Sequence, residues 1–458
     1  MHDMSCVSSY SASLALCSQA AGPLRGRLRV PGDKSISHRA VLIASMAVGE
    51  SLIEGLSEGE DVHRTLDAVA ALGASVSRKK AGVWSIQGCG VGGFMEPRSV
   101  LDLQNSGTGA RLLMGILASH PFTSVMTGDV SLRSRPMQRV MHPLQECGAR
   151  FIARADGYLP VTILGASKAL PLEHALSIPS AQVKSALLFA GLNAPGRTVV
   201  IEPRPSRDHT ERMLQHFGAD ISVSAVEEGG KRIMLMGQPE LTGRTIRVPA
   251  DPSSAAFPVV AAVLTEGSQL VLENVGINNL RCGLYVTLQE MGARLSFENK
   301  RLVDGEPVAD IHVTSSSLKG ITVPADRAPS MIDEYPILAI AAALADGETR
   351  MCGLGELKVK ESDRLAAMAS GLSACGVKAV IEGTDLVVTG SSVPPAGGTL
   401  ITARHDHRIA MSFLILGSLA KQPISVDGAD TIATSFPDFV ENMRILGMDI
   451  SKEKHTII

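Results

Sequence analysis

The sequence predicts an α/β protein built as a two-domain inside-out α/β barrel: six β-α-β-α-β-β units, three per domain, with helices inside and sheets outside. Three observations lead there. A glycine followed by Ala, Val or Met closes an amphipathic segment six times, at Gly73, Gly148, Gly218, Gly292, Gly376 and Gly447, 70 to 84 residues apart. Each unit also carries a helical stretch that is apolar almost all round. Finally, three stretches share nearly one text: Arg29-Val30-Pro31-Gly32-Asp33, Arg247-Val248-Pro249-Ala250-Asp251 and Thr322-Val323-Pro324-Ala325-Asp326. One pattern at near-constant spacing means copies of one supersecondary unit.

Each unit reads in the same order. A short leading strand runs into a helix start, as in Gly26 to Asp33. The apolar helix follows, at roughly 34–47, 105–119, 180–191, 252–265, 333–345 and 407–420. Asn105, Ser180, Asp251 and Asp406 are suited to cap these helices, because their side-chain oxygens accept from free backbone N–H groups. A helix apolar on all sides needs cover on all sides, which favours closed domains over an open solenoid. A strand and loop come next, then the amphipathic helix; in the fifth unit Leu365, Met368, Leu372 and Cys375 keep helical spacing. Glycine ends this helix because it takes a left-handed conformation without a Cβ clash. A hairpin finishes the unit, with turns such as Asp156-Gly157 and Gly229-Gly230.

Composition bounds the function. A chain of 458 residues exceeds one ordinary core. A net charge of −3 disfavours a nucleic-acid or anionic-membrane surface, so anion binding must come from local clusters. The seven cysteines are odd in number and form no C-x-x-C, which fits reduced thiols in the cytoplasm and no zinc framework. The apolar helical stretches run about a dozen residues, too short to span a bilayer. Met1 to Gly22 is Ser- and Ala-rich with no Lys or Arg, so it reads as a disordered leader and not as a signal peptide.

The chemistry should lie where the units depart from their common text. Those places are helix starts, and they are rich in Lys and Arg: 33–39, 105–111, 131–136, 180–185, 204–209, 358–364 and 404–408. Basic residues before a helix are ordinarily solvated. Seven such clusters at equivalent places of a repeat argue for convergence, since helix N-termini attract anions. Asn105 to Gly109 looks like a phosphate loop but lacks the Walker Lys. His405-x-His407 lacks a third metal ligand, and Ser35, Ser37 and His38 lack an acid for a nucleophilic triad. Asp333 and Glu361 each open a helix beside cations, where capping alone would explain them or an acid–base role would.

Together these motifs resemble the EPSP synthase family, the enolpyruvyl transferases of aromatic amino-acid biosynthesis. The resemblance covers about residues 24–450. It rests on Pro31 to Arg39 (PGDKSISHR), Asn105 to Arg111, Arg135-Pro136-Met137, Ser180-Ala181-Gln182, Lys360 to Leu365 (KESDRL) and Asp406 to Met411 (DHRIAM). It implies an N-terminal domain over 34–247 and a C-terminal domain over 23–33 plus 251–458, with the site between them. It implies that the 5-hydroxyl of shikimate 3-phosphate adds to C2 of phosphoenolpyruvate while C3 gains a proton. Loss of phosphate and a C3 proton then restores the enol, without a metal or other cofactor. By resemblance Lys34, Asn105, Gly107, Arg135, Gln182, Arg364 and Arg408 hold phosphoenolpyruvate. Lys34, Ser35, Arg39, Ser180, Ala181, Gln182, Arg207, Asp333 and Lys360 form the shikimate 3-phosphate set. Asp333 resembles the acceptor of the hydroxyl proton, and Glu361 or Lys34 would handle the proton at C3. The implied partners are these two small molecules, not nucleic acid or membrane, and the implied state is a monomer.

Ala181, Arg207-Asp208-His209 and Thr434, where many members carry Lys, resemble the class II subgroup. The sister enzymes acting on UDP-N-acetylglucosamine usually have a reactive Cys in the loop matching 128–136, and none stands here. RNA 3′-phosphate cyclases use related units, but the chain is acidic and has few aromatic platforms. A repeat scaffold would not need Asp333 and Glu361 among so many cations.

Overall fold

The computed structural model describes residues 15–226 and 229–452. The described chain folds into six four-stranded sheets and two large hydrophobic clusters. One cluster runs from Ile36 to Val248. The other takes Leu16, Leu24, Leu28 and Val30, then Ala250 to Ile450.

The apolar helices form the inside of these clusters. They span Lys34–Ser45, Gly107–Ala118, Ala181–Asn193, Pro252–Leu264, Tyr335–Ala343 and His407–Gly417. All eleven residues of the last are buried, as are twelve of the thirteen in Pro252–Leu264. Ser180, Asp251 and Asp406 cap their helices as expected. Asn105 does not: Ser106 accepts from Gly109 N instead, and the Asn105 amide is drawn off to Asp129. Asp333 and Glu361 do not begin helices either. The helices start at Tyr335 and Arg364, so both acids sit in the loops just before.

All six stop glycines are left-handed, with φ between 85° and 113°. After five of them, the very next residue returns its N–H to a carbonyl five residues back, as Ala74 does to Val69 and Met448 to Met443. This bond pattern satisfies carbonyls that a helix end leaves free.

The sheets correct one expectation. Residues 15–22 are not a disordered leader. Leu16–Gln19 is a strand between Ile424–Asp427 and Asp449–Lys452, antiparallel to both. In the other sheets that inner place belongs to the second strand of the unit's own hairpin, so the sixth hairpin is completed from the far end of the chain. Leu16 and Ser18 bury their side chains there, which explains the order. Residues 1–14 of the expected leader lie outside the described residues. The leading strands are also exchanged. Arg25–Leu28 lies parallel to Gln269–Gly276 of the fourth unit, and Thr245–Arg247 lies parallel to Val48–Glu54 of the first. The chain therefore crosses twice between the clusters, and the two crossings pair. Asp33 N donates to Pro249 O and Asp251 N to Pro31 O, both at 2.8 Å.

Candidate active site

The helix starts of both clusters face one cleft. Lys34, Asn105, Arg111, Arg135, Gln182 and Arg207 come from the first. Asp333, Lys360, Glu361, Arg364 and Arg408 come from the second. The loops feeding two of these helices hold non-glycine residues in the left-handed region: Gln104 (φ 47°) before Gly107–Ala118, and Arg404 (53°) and His405 (59°) before His407–Gly417. Such strain persists only where the surroundings hold it, and it clusters at functional loops.

On the second side, Asp333 is the centre. Its carboxylate faces Arg364 Nη1 at 3.3 Å and Lys360 Nζ at 3.8 Å, and its carbonyl accepts from Arg408 Nη1 at 2.9 Å. From across the cleft Arg207 Nη2 reaches it at 2.8 Å. Arg364 is fixed by Asp406, which takes Nε at 2.8 Å and Nη2 at 3.2 Å. Its fork is thus held by protein, and the Nη1 edge faces the cleft. Glu361 pairs with Arg364 Nη2 at 2.6 Å and with Arg135 Nη1 across the cleft at 3.5 Å.

Burial alone would raise both acids. The charges of Lys360, Arg207, Arg408 and Arg364 hold Asp333 well below the ordinary carboxylate value. Arg364 and Arg135 do the same for Glu361. Both are therefore carboxylates at neutral pH. Lys360 is lowered, by burial first, against the pull of Asp333 and Glu361.

On the first side, Lys34 Nζ lies 2.9 Å from Asp61 Oδ2. Arg135 is 5% exposed and donates to Asn105 Oδ1 at 2.7 Å and Ser131 Oγ at 2.9 Å. Gln182 donates to Thr108 Oγ1 and accepts from Arg111 Nη1, both at 2.9 Å. A Cβ at Gly107 would stand 2.9 Å from Arg135 Nη1, so glycine leaves the space this guanidinium uses. Arg39 is placed differently from its neighbours in the expected set. Its Nε, Nη1 and Nη2 go to Thr210 Oγ1, Ser35 O and Ser185 Oγ, at 2.7, 2.9 and 2.8 Å. Burial lowers it to about 10. It orders the turn holding Ser35. Ser180 caps its helix, Ala181 begins it, and Ser180 also lines a cavity of about 630 Å³ beside the cleft, with Arg139 and His174.

Several residues join the site without having been given a role in it by sequence. Asp61 stands in the first turn of Glu60–Ala71, where an acid is expected on dipole grounds alone. Arg111 lay within a recognised motif, and its place one turn after Gly107 puts it on the same helix face. His407 is held well below its ordinary value, by burial and then by Lys34 and Arg408, so it is a neutral imidazole; its Nδ1 meets Thr434 Oγ1 at 3.2 Å. Thr434 thus orients a ring.

A family model described as EPSP synthase (3-phosphoshikimate 1-carboxyvinyltransferase) matches residues 18–443. The chain belongs to the EPSP synthase family. It is 59% identical to the 3-phosphoshikimate 1-carboxyvinyltransferase of Paramagnetospirillum magneticum, over 95% of this chain and 98% of that one. It is 58% identical to the enzyme of the same name from Granulibacter bethesdensis, over 93% and 94%. Among solved structures it is similar to EPSP synthase from Acinetobacter baumannii, with a TM-score of 0.85, 44% identity, and coverage of 96% of this chain and 100% of that one. The enolpyruvyl transferase NikO from Streptomyces tendae, at 19% identity and a TM-score of 0.77 over 96% of this chain and 99% of that one, shares the fold. The family's inside-out α/β architecture is the one described above.

Proposed function

We infer that the protein transfers the enolpyruvyl group of phosphoenolpyruvate to the 5-hydroxyl of shikimate 3-phosphate and releases phosphate, as the names of its relatives indicate. One observation carries the residue roles. Asp333 sits as a carboxylate among Arg207, Lys360, Arg364 and Arg408, and these come from both sides of the cleft. The cations hold two substrates bearing phosphate and carboxylate groups, and once those anions claim the cations the Asp333 carboxylate regains the basicity to accept a hydroxyl proton.

In this reading Arg135, Gln182, Arg364, Arg408, Lys34 and the Gly107 turn hold phosphoenolpyruvate, with Asn105 fixing Arg135. Ser35, Ser180, Ala181, Gln182, Arg207, Lys360 and Lys34 hold shikimate 3-phosphate, and Arg39 supports Ser35. Asp333 takes the proton as the hydroxyl adds to C2. C3 gains its proton from Glu361 or Lys34, and loss of phosphate with a C3 proton completes the exchange. Glu361 is ionised between Arg364 and Arg135. It donates only after bound anions claim those two cations and raise its affinity for a proton.

Asp333→Ala should lower turnover roughly 10²–10⁴-fold while the variant still binds shikimate 3-phosphate. A near-normal turnover number would remove Asp333 from the mechanism. We read the two clusters as domains meeting near 31–34 and 247–251. No helix among the described residues is long and apolar enough to cross a membrane. The six described cysteines are free, which supports a cytoplasmic protein. Both sides of the site come from one chain, which supports a monomer; light scattering should return 48.1 kDa, and a doubled mass would contradict it.

A further inference from the structure

Five buried polar side chains meet where the chain crosses between the clusters, and the chemistry above uses none of them. They are Asp33, Asp251, Ser253, Arg281 and Glu334, each at most 6% exposed. One guanidinium faces three carboxylates. Arg281 Nη2 lies 3.4 Å from Asp33 Oδ2, 3.1 Å from Asp251 Oδ1 and 2.8 Å from Ser253 Oγ. Its Nη1 lies 3.9 Å from Glu334 Oε1, and Ser253 Oγ donates to that same oxygen.

Each carboxylate also holds a part of the cleft. Asp33 caps the helix that Lys34 begins, through Ile36 N at 2.9 Å. Asp251 Oδ2 accepts from the Lys34 backbone N at 3.2 Å. Glu334 Oε1 meets Arg408 Nη1 at 3.5 Å, and that nitrogen donates to Asp333 O at 2.9 Å. Arg281 is thus one residue away from Lys34 on one side and from Arg408 on the other.

We propose that Arg281 is a positioning residue for enolpyruvyl transfer: by balancing Asp33, Asp251 and Glu334 at the crossing, it sets Lys34 of one half against Arg408 of the other. The proposal rests on the reading that Lys34 and Arg408 hold phosphoenolpyruvate. Removing one partner of a buried ionic group leaves the others uncompensated, and they rearrange or take up protons. Without Arg281, Glu334 pulls Arg408 Nη1 away from the Asp333 carbonyl. Asp251, beside Asp33, then releases the Lys34 N–H. The change at Arg408 acts on the phosphoenolpyruvate side of the cleft, and the change at Lys34 acts where the two substrates meet. Arg281 itself makes no hydrogen bond or ion pair with Arg207 or Ser180 on the shikimate 3-phosphate side; its turn meets that side through Asn278, which donates to Asp208 at 2.6 Å.

The test compares Arg281→Lys, Glu334→Gln and the double variant, with thermal unfolding, calorimetric binding of shikimate 3-phosphate, and steady-state kinetics. Arg281→Lys keeps the charge but cannot span the same oxygens. It is expected to raise KM for phosphoenolpyruvate about tenfold or more, with the Kd for shikimate 3-phosphate within about threefold. The losses in kcat/KM should fall short of multiplying in the double variant by about fivefold, since both act through one contact chain. If the variants lose only the amount of folded enzyme, with KM unchanged, or if their effects multiply, the proposal is overturned. Arg408→Lys separates the two readings. An unmoved KM there overturns the pocket assignment and the proposal with it. A raised KM there, beside an unmoved KM in Arg281→Lys, overturns the proposal alone.

Discussion

Glu361 shows how much of the chemistry is decided by charge placement. Its carboxylate lies 2.6 Å from Arg364 Nη2 and 3.5 Å from Arg135 Nη1, which keeps it ionised. The free protein therefore gains stability from Asp333 and Glu361 above the ordinary carboxylate range, and loses it only as pH falls through their lowered values. An anion entering beside Arg364 and Arg135 reverses the local balance, so Glu361 should bind a proton as the ligand binds. Calorimetry of inorganic phosphate binding in the presence of shikimate 3-phosphate, run near pH 7 in buffers of different ionisation enthalpy, should show net proton uptake that disappears in Glu361→Gln. Equal uptake in both proteins would locate the proton elsewhere. The acid itself was legible in the sequence. Its protonation state was not, because that depends on Arg135 from a distant unit.

At the scale of elements, the recurring glycine is a structural stop away from the chemistry. Gly292 has φ 104°, and a Cβ there would meet Ser317 O at 3.4 Å, an ordinary contact. Space is available, so the cost of Gly292→Ala is backbone strain, about 1–2 kcal/mol. Denaturant unfolding should show that loss with kcat and KM unchanged; an altered KM would mean that the stops and starts are coupled. The inner helices were read within a few residues because each is largely apolar and five of the six carry a capping side chain, Tyr335–Ala343 being the exception. Their starts were less certain where two capping residues adjoin. Asn105 and Ser106 both suit a cap, and the choice fell to Ser106 because Asp129 and Arg135 occupy the Asn105 amide. Asp333 and Glu361 looked like helix-opening acids for the same reason: local sequence does not distinguish a cap from a loop carboxylate that answers to cations across a cleft.

At the scale of the molecule, the repeat made six units legible but not which strand serves which unit. The texts around Val30 and Val248 are nearly the same, so each suits either leading position, and the structure exchanges them. Leu16–Gln19 was hidden for a related reason: four residues with Ser and Cys carry little strand signal until the sixth sheet supplies two partners. These exchanges run the chain twice through the crossing where Arg281 lies, and they leave a site that neither half completes. The most direct test of that shared site is phosphate release by the unmodified protein. Phosphoenolpyruvate should yield phosphate and an enol-ether product in equal amounts when shikimate 3-phosphate is present, and no phosphate when it is absent or replaced by UDP-N-acetylglucosamine. Release from phosphoenolpyruvate alone, or none with both substrates, would contradict the account.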